Sequence, residues 1–174
     1  MQQLRMLWTN DGIPAKEPVL PSGLQVVNFT ELNDAKNIWL DLIQYGLASK
    51  REDESYYEKT MVHWPHYQPD KCFFLLENGR AVATATVICD YEKADGYIHM
   101  VACHPDSRGK GFGTILNEIC LYTLKAQNMK TASLTTDDAR IPAIKSYLRA
   151  GFVPDVSTAD FKERWDKVMK QIRI

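Results

Sequence analysis

The chain has 174 residues, 45% of them apolar, and its 21 basic and 22 acidic side chains give a formal net charge of −1 at pH 7. This length suggests a single domain that can bury a sizeable core. The near-neutral charge argues against nucleic acid or an anionic membrane as the main partner, because either favours a basic surface. No run of 18 apolar residues is present, so no membrane span is predicted.

Four cysteines, Cys72, Cys89, Cys103 and Cys120, lie in apolar stretches without the C-x-x-C spacing of a zinc or redox site. The N-terminal segment lacks the apolar core and the small-residue cleavage pattern of a signal peptide. We therefore expect buried free thiols, a reducing compartment, a cytoplasmic protein and no bound metal.

The first 22 residues contain three prolines and show no helical period. We expect an extended N-terminal arm over residues 1–22, with Leu4 to Trp8 as a candidate additional strand, followed by a single domain over residues 23–174. The alternation from Leu24 to Phe29 predicts the first strand of that domain. Apolar residues then recur at helical spacing behind a Thr30 cap and predict an amphipathic helix: Leu32, Ala35, Ile38, Trp39, Leu42, Ile43 and Gly46.

Residues 53–69 begin with acidic side chains, which suit a helix N-terminus, and contain Pro65, which should stop the helix near His63 or Trp64. The segment is rich in aromatic side chains with polar tips: Tyr56, Tyr57, His63, Trp64, His66 and Tyr67. These side chains form either a wall that faces a substrate or a partly buried helix packed on the sheet, and both interpretations are open from the residues alone.

Two apolar runs, Cys72 to Leu76 and Ala81 to Cys89, flank the dipeptide Asn78-Gly79 and predict an antiparallel hairpin. A central strand then runs from Tyr97 to about Cys103. Alternation along it would place Ile98, Met100 and Ala102 on one face and Tyr97, His99, Val101 and Cys103 on the other.

Downstream, the sequence predicts a helix from Phe112 to about Gln127 and a strand from Lys130 to Thr136. The next helix is expected to be capped by Asp137 or Asp138, to have Pro142 in its first turn and to end at Gly151. A short strand from Phe152 and an amphipathic helix from Phe161 follow. Two antiparallel strands followed by alternating strands and helices indicate an α/β (α+β) sandwich with a mixed sheet and a C-terminal helix.

A basic, glycine-rich turn, Arg108-Gly-Lys-Gly-Phe-Gly113, separates the central strand from the next helix. Side chains do not shield the N–H groups of such a turn, and the helix N-terminus carries about half a positive charge. With Arg108 and Lys110 adding cationic character, the turn is predicted to bind a phosphate or pyrophosphate. Its glycines fit neither G-x-x-x-x-G-K-[ST] nor G-x-G-x-x-G, but they fit R-x-x-G-x-G.

The R-x-x-G-x-G turn, which follows a strand ending in V-x-x-H-P, resembles the acetyl-CoA signature of the GNAT superfamily of N-acetyltransferases. A second segment, Ala143-Ile-Lys-Ser-Tyr-Leu-Arg-Ala-Gly-Phe152, is similar to the A-x-x-x-Y-x-x-x-G-F segment of that family. The resemblance implies a GNAT-like mixed, mostly antiparallel central sheet flanked by helices, with acetyl-CoA as co-substrate and no metal. It also implies a closing seventh strand where this sequence predicts the helix from Phe161.

By this resemblance, backbone N–H groups of Val101 to Cys103 would bind pantetheine, with that of Val101 polarising the thioester oxygen, and those of Gly109 to Gly113 would hold the pyrophosphate. Arg140 stands where relatives commonly carry an asparagine that contacts the cofactor, and it could reach a CoA phosphate or face solvent. The complete set of expected cofactor residues is Val101, Ala102, Cys103, Arg108, Gly109, Lys110, Gly111, Phe112, Gly113, Thr114 and Arg140.

Two residues are candidates for catalysis. Tyr147 stands at the position of the family's thiolate-protonating tyrosine, and its alternative role is that of a core tyrosine. His99 is similar to a catalytic histidine of arylalkylamine N-acetyltransferases, with which the chain shares the pattern H-x-x-A-x-H-x-x-x-R up to Arg108. For His99, a buried structural role is the open alternative.

The resemblance implies direct transfer of acetyl to the primary amine of a small molecule in a ternary complex. One alternative is acetylation of a protein or peptide amine, which needs an open groove. The other is a non-catalytic, regulatory CoA-binding domain in which acid and base are idle. The resemblance favours residues 53–69 as a border of the acceptor site, and by analogy with relatives it also suggests a homodimer.

Overall fold

Seven strands join into one sheet in the computed structural model, which describes residues 2–48 and 50–172. The strands are β1 (Leu4–Thr9), β2 (Leu24–Asn28), β3 (Cys72–Glu77), β4 (Arg80–Asp90), β5 (Asp95–Cys103), β6 (Thr131–Thr136) and β7 (Val153–Pro154). Their order is β2-β3-β4-β5-β6-β1-β7, and neighbouring strands are antiparallel except β5 and β6, which are parallel. The predicted mixed, mostly antiparallel sheet is confirmed.

The helices are α1 (Ala35–Ile43), α2 (Glu54–Tyr57), α3 (Phe112–Ala126), α4 (Ile141–Arg149) and α5 (Ala159–Gln171). The short helix α2 continues into a π-helical turn, Glu58–Val62, which ends at His63 as the position of Pro65 predicts. The predicted C-terminal helix is present as α5. Within the described ranges, every helix is too short or too polar to cross a bilayer.

Apolar side chains are buried on both faces of the sheet. On one face, α3, α4 and α5 pack over the strands, and Leu116 and Trp165 are fully buried there. On the other face, α1 and the π-helical turn bury Trp39 and Met61 against β3. Among the described residues, this second core contains no side chain of β6, β1 or β7. That half of the second face is therefore not covered by α1 or the π-helical turn.

The N-terminal strand is an inner strand of the sheet. β1 pairs along its whole length with β6, from Leu4 opposite Thr136 to Thr9 opposite Thr131, and its other edge pairs with β7. Leu4, Met6 and Trp8 alternate with more exposed residues and are buried in the core under α5, as period-two patterning requires. The candidate strand at Leu4 to Trp8 is therefore present and lies between β6 and β7.

The predicted start of the first helix is wrong. The Asn28 side chain accepts hydrogen bonds from both the N–H and the hydroxyl of Thr30, at 2.9 and 2.7 Å, and holds Thr30 in a turn. Such local side-chain bonds compete with helix formation. The helix consequently begins only at Ala35, and it ends at Ile43, before Gly46.

The predicted cap of α4 is also wrong. Its N-cap is Arg140, with Pro142 in the first turn as expected. Asp138 is occupied elsewhere, because both of its carboxylate oxygens accept hydrogen bonds from the guanidinium of Arg164 on α5. Asp137 accepts a bond of 3.0 Å from Gln3. These carboxylates tie the loop before α4 to the N-terminal strand and to the last helix.

We predict that Met6→Ala lowers the free energy of unfolding by about 2–5 kcal/mol, because it removes a fully buried side chain of β1 and leaves a cavity. Denaturant unfolding measures this change. The matched control is Thr9→Ala on the same strand, where the side chain is exposed and the change should stay within about 0.5 kcal/mol. Equal, small effects of both substitutions would contradict the placement of β1 inside the sheet.

Candidate active site

The central strand β5 carries a β-bulge. The register of β5 on β4 shifts between Thr84 and Thr86, so that β5 has two residues, Met100 and Val101, where β4 has one. Met100 has a φ of 54°, a left-handed conformation that is uncommon outside glycine and asparagine. An extra residue of this kind bends the strand and turns the following side chains to the opposite faces.

The predicted alternation of side chains is therefore wrong for the second half of β5. Val101 and Cys103 pack on the α3 side of the sheet together with Ile98, whereas Met100 and Ala102 pack on the α1 side. The alternation from Tyr97 to His99 is regular, and the bulge at Met100 supplies the physical reason for the change. The sequence contains no glycine there that would have signalled it.

β5 and β6 separate next to this bulge. Their parallel pairing runs from Asp95 opposite Thr131 to Ile98 opposite Leu134 and goes no further. From residue 99 onward, the edge of β5 that faces β6 lies outside the ladder. Backbone N–H and C=O groups seek partners when they are shielded from water, so this open edge can bind an extended ligand through main-chain hydrogen bonds.

The glycine-rich turn lies directly beyond β5 and leads into α3. Gly109 and Gly111 have φ values of 78° and 84°, which require glycine-like conformations, and Gly111 is the N-cap of α3. Within the described ranges, the N–H groups of residues 109–113 donate to no protein acceptor, whereas those of Thr114 and Ile115 donate to the Gly111 carbonyl. A run of unpaired N–H groups at a helix N-terminus is a binding site for an anion.

The two cationic side chains of the turn, Arg108 and Lys110, bind to other groups of the protein. Arg108 donates to the backbone carbonyls of Cys103, at 3.3 Å, and of Tyr45 behind α1. Lys110 pairs with both carboxylate oxygens of Glu77, at 2.9 and 3.0 Å. The positive character directed outward by the turn therefore comes mainly from backbone N–H groups. The predicted cofactor residues Phe112 and Thr114 are, respectively, buried and exposed in the first turn of α3.

Tyr147 lies on α4, which packs against α3, and it is almost completely buried in the core. Burial raises its pKa to about 12, and the nearby positive charge of Arg140 opposes part of that rise. The hydroxyl is thus neutral at pH 7. Arg140, at the N-terminus of α4, is half-buried.

A polar contact between helices positions Tyr147 relative to the turn. The buried amide of Asn117 on α3 donates a hydrogen bond of 2.9 Å to the hydroxyl of Ser146 on α4. A Cβ placed at Gly113 would lie 3.6 Å from the same hydroxyl, so the two helices approach closely at this point. Asn117 and Ser146 were not predicted as site residues, because a lone amide and a lone serine carry no recognisable spacing.

His99 is buried on the α1 side of β5, where its Nε2 lies 2.8 Å from the backbone oxygen of Thr60. A carbonyl oxygen only accepts hydrogen bonds, so Nε2 carries a proton, and in the neutral ring Nδ1 is the nitrogen with a lone pair. Burial lowers the pKa of His99, and the bond to Thr60 opposes that effect. The ring of Trp64 stacks on His99 with a centroid distance of 4.1 Å.

The π-helical turn explains why the Thr60 carbonyl is available. In an α-helix it would accept from the N–H of Trp64, but that N–H donates to Met61 at 3.0 Å. In a π-helix the Thr60 carbonyl would accept from the N–H of residue 65, but that residue is a proline and has no N–H. Helical irregularities of this type are frequent at functional sites. Here the freed carbonyl fixes the tautomer of His99.

The aromatic side chains of residues 53–69 do not form one wall. Tyr57 belongs to the core, where it packs edge-on against Trp39 at 5.2 Å, and its hydroxyl is hydrogen-bonded to that of Tyr67 at 2.7 Å. Trp64 instead lies over His99 and Tyr97 and is 37% exposed. Tyr57 thus fits the interpretation of a partly buried helix, whereas a substrate-facing role of Trp64 stays a prediction.

Tyr147 and the helix α3 that follows the glycine turn therefore pack on one face of the sheet. His99, Tyr97 and Trp64 contact one another on the other face. In the described ranges, no group of three or more His, Cys, Asp or Glu side chains is arranged to hold a metal ion. The arrangement can bind an anion with an extended tail and hold a polar reactant against aromatic rings.

We predict that the imidazole of His99 is protonated at Nε2 and stays neutral at pH values where an ordinary histidine, with a pKa of about 6.5, is half protonated. The physical reasons are the Thr60 carbonyl and the burial of the ring. Nitrogen-15 NMR of the histidine side chains reports both properties. A proton on Nδ1, or titration above the ordinary value, would contradict the geometry.

Comparison with known proteins identifies relatives. The model of the acetyltransferase (GNAT) family matches residues 36–152. Mycothiol acetyltransferase of Streptomyces coelicolor is 28% identical over 156 residues, which are 88% of this chain and 50% of that protein. N-alpha-acetyltransferase 30 of Schizosaccharomyces pombe is 28% identical over 109 residues, which are 61% of this chain and 73% of that protein.

Among solved structures, a GCN5-related N-acetyltransferase from Sphaerobacter thermophilus aligns with a TM-score of 0.69 at 18% identity, covering 88% of this chain and 50% of that one. This likeness concerns the fold alone. The chain spans about half the length of the mycothiol acetyltransferases that it matches. The family match covers most of the sheet, α1, α3, α4 and the glycine turn, and the chain belongs to the acetyltransferase (GNAT) family.

Proposed function

We propose that the chain is an N-acetyltransferase that moves the acetyl group of acetyl-CoA directly to the primary amine of a small molecule, with both substrates bound together. The observation that carries this proposal is the run of unpaired N–H groups at residues 109–113, next to the point where β5 leaves β6. An extended ligand with a pyrophosphate at one end fits this combination of an anion site and an open strand edge.

The residues present fit acetyl-CoA, which supplies an activated acyl group on a thiol that can leave. The N–H groups of Gly109 to Gly113 would hold the pyrophosphate at the positive end of α3. The backbone of Val101, Ala102 and Cys103, at the open edge, would bind the pantetheine arm, and the Val101 N–H would polarise the thioester oxygen. Arg140, at the N-terminus of α4, would approach a phosphate of the cofactor.

Two side chains would carry out the proton transfers of the reaction. The buried Tyr147 hydroxyl, neutral because its pKa is about 12, would protonate the departing thiolate. An alkyl amine with a pKa near 10 is about 0.1% neutral at pH 7, a shortfall of roughly 4 kcal/mol that a base must help to offset. His99 would accept that proton at Nδ1, directly or through water, since its Nε2 is committed to Thr60.

A second candidate is acetylation of a peptide or protein amine. The face formed by β6, β1 and β7 on the α1 side carries exposed Gln3, Arg5 and Thr9, and among the described helices none covers it. Such a surface could accommodate an extended chain. The aromatic side chains around His99 favour the small molecule, because Trp64 narrows the approach to the imidazole.

The proposal is tested by thiol release from acetyl-CoA with a panel of polyamines, arylalkylamines, amino acids, aminoglycosides and short peptides, together with calorimetry of CoA binding. Turnover of a small amine supports the proposal. Turnover confined to peptides would support the second candidate, and CoA binding without any turnover would indicate a regulatory CoA-binding domain. Absence of CoA binding would contradict the assignment of the glycine turn.

We predict that Gly111→Ala weakens CoA binding at least tenfold, because a Cβ would strain a φ of 84° and stand where the ligand must approach the backbone. Gly12→Ala is the matched control. Gly12 has a φ of 74° and equally open surroundings, but it lies in the arm after β1. Calorimetry should show unchanged affinity in the control. Equal loss in both variants would contradict an anion site at residues 109–113.

We predict that Tyr147→Phe leaves the dissociation constant of CoA nearly unchanged and lowers kcat about a hundredfold or more, as expected for loss of a general acid. Steady-state kinetics measure the effect, and Tyr122→Phe on α3 serves as the control that removes a hydroxyl elsewhere. An unchanged kcat would show that Tyr147 is only a core residue.

A further inference from the structure

A cavity of about 230 Å³ lies beside Trp64 and Tyr97. It lies between the Trp64–His66 turn and the β4–β5 hairpin, and its lining includes Trp64, His66, Asp90, Lys93, Asp95 and Tyr97. Trp64 and Tyr97 are the two rings that lie against His99. His99 itself does not line the cavity, which extends from these two rings to Asp95 and Gly96, the first residues of β5.

Two carboxylates of this cavity are opposed in the sheet. Asp90 pairs with Asp95 in the register of β4 and β5, and like charges directly opposite each other are destabilising. Asp90 is compensated, since its Oδ2 lies 2.9 Å from the Lys93 ammonium and 3.7 Å from His66 Nε2. Asp95 accepts a hydrogen bond of 2.6 Å from the Thr131 hydroxyl.

Asp95 is the uncompensated member of the pair. In the described ranges, no basic side chain forms an ion pair with it. Lys93 is near enough to feel its charge, but the Lys93 ammonium is bonded to Asp90. A carboxylate without a counter-ion in a cavity is a favourable partner for a cation from outside the chain.

The aromatic side of the cavity suits a cation as well. The rings of Trp64 and Tyr97, stacked 5.7 Å apart, both line the cavity, and an aromatic face that no other ring covers attracts ammonium groups. His66, which closes the cavity beside Asp90, adopts a φ of 61°, an uncommon backbone conformation outside glycine. Left-handed non-glycine residues often occur at functional sites, where the surrounding structure maintains them.

We propose that this cavity binds the second ammonium of the acceptor, so that the acceptor is a linear polyamine with one amino group at His99 and another at Asp95. This inference rests on the proposed N-acetyltransferase function. Asp95 and His99 lie on the same face of β5, and at ~3.3 Å per residue they are about 13 Å apart along the strand. Putrescine is too short to span that distance, whereas spermidine and spermine can approach or span it.

The experiment measures KM for butylamine, putrescine, spermidine and spermine with the wild type, Asp95→Asn and Asp95→Glu. Asparagine keeps the size and an acceptor for Thr131 but removes the charge. We expect KM of the wild type to fall with chain length, and KM for spermine to rise about tenfold in Asp95→Asn, the effect of losing a close charge pair. KM for butylamine should not change, and Asp95→Glu should retain most of the preference for spermine.

Asp106→Asn, an exposed carboxylate near the turn, is the control and should match the wild type. A preference for spermine that survives Asp95→Asn, or equal loss for butylamine and spermine, would overturn the inference while the proposed function stands. A preference seen only with basic peptides would overturn the polyamine assignment. Thermal unfolding of each variant verifies that it is folded.

Calorimetric titration of spermine, without acetyl-CoA, separates the two proposals. Spermine binding that Asp95→Asn weakens about tenfold supports the inference even if no amine is acetylated, in which case the proposed function fails. Spermine binding that is the same in the wild type and in Asp95→Asn contradicts the inference, whatever the catalytic result.

Discussion

The separation of β5 from β6 is the feature on which the rest of the site depends. Parallel pairing stops at Ile98, and the bulge at Met100 turns the remaining backbone of β5 away from the regular ladder. Backbone groups that would have satisfied each other across the sheet are thereby exposed to a ligand. The glycine turn and the N-terminus of α3 follow within a few residues, so an anion site and an open strand edge become continuous.

The surrounding elements keep this opening in place. On one side, the Asn117–Ser146 bond holds α3 against α4, which carries Tyr147. The loop before α4 is attached through Asp138 to Arg164 of the last helix, and that guanidinium also donates to the Gln2 carbonyl at 2.9 Å. The N-terminal strand and the C-terminal helix thus support the loop from which α4 starts, although neither lies next to the glycine turn in sequence.

Local patterns in the sequence predicted the strands, most helices and the turn, because hydrophobic period, Asn-Gly and closely spaced glycines act over a few residues. They did not predict the bulge, since the left-handed residue is Met100 and no glycine marks it. Nor did they separate Tyr57, which is buried in the core, from Trp64, which covers His99, because the two residues have similar chemistry and differ only in their tertiary neighbours. The capping prediction failed at Asp138 for the same reason: its partner, Arg164, is distant in sequence.

We propose that the opening between β5 and β6 binds acetyl-CoA, with the pyrophosphate on the backbone of the glycine turn. A crystal structure of the chain with CoA would locate both parts of the ligand. We expect the pyrophosphate oxygens within hydrogen-bonding distance of the N–H groups of residues 109–113 and the pantetheine arm along residues 101–103. CoA bound elsewhere, or held mainly by the Arg108 and Lys110 side chains after release from Tyr45 and Glu77, would contradict this claim.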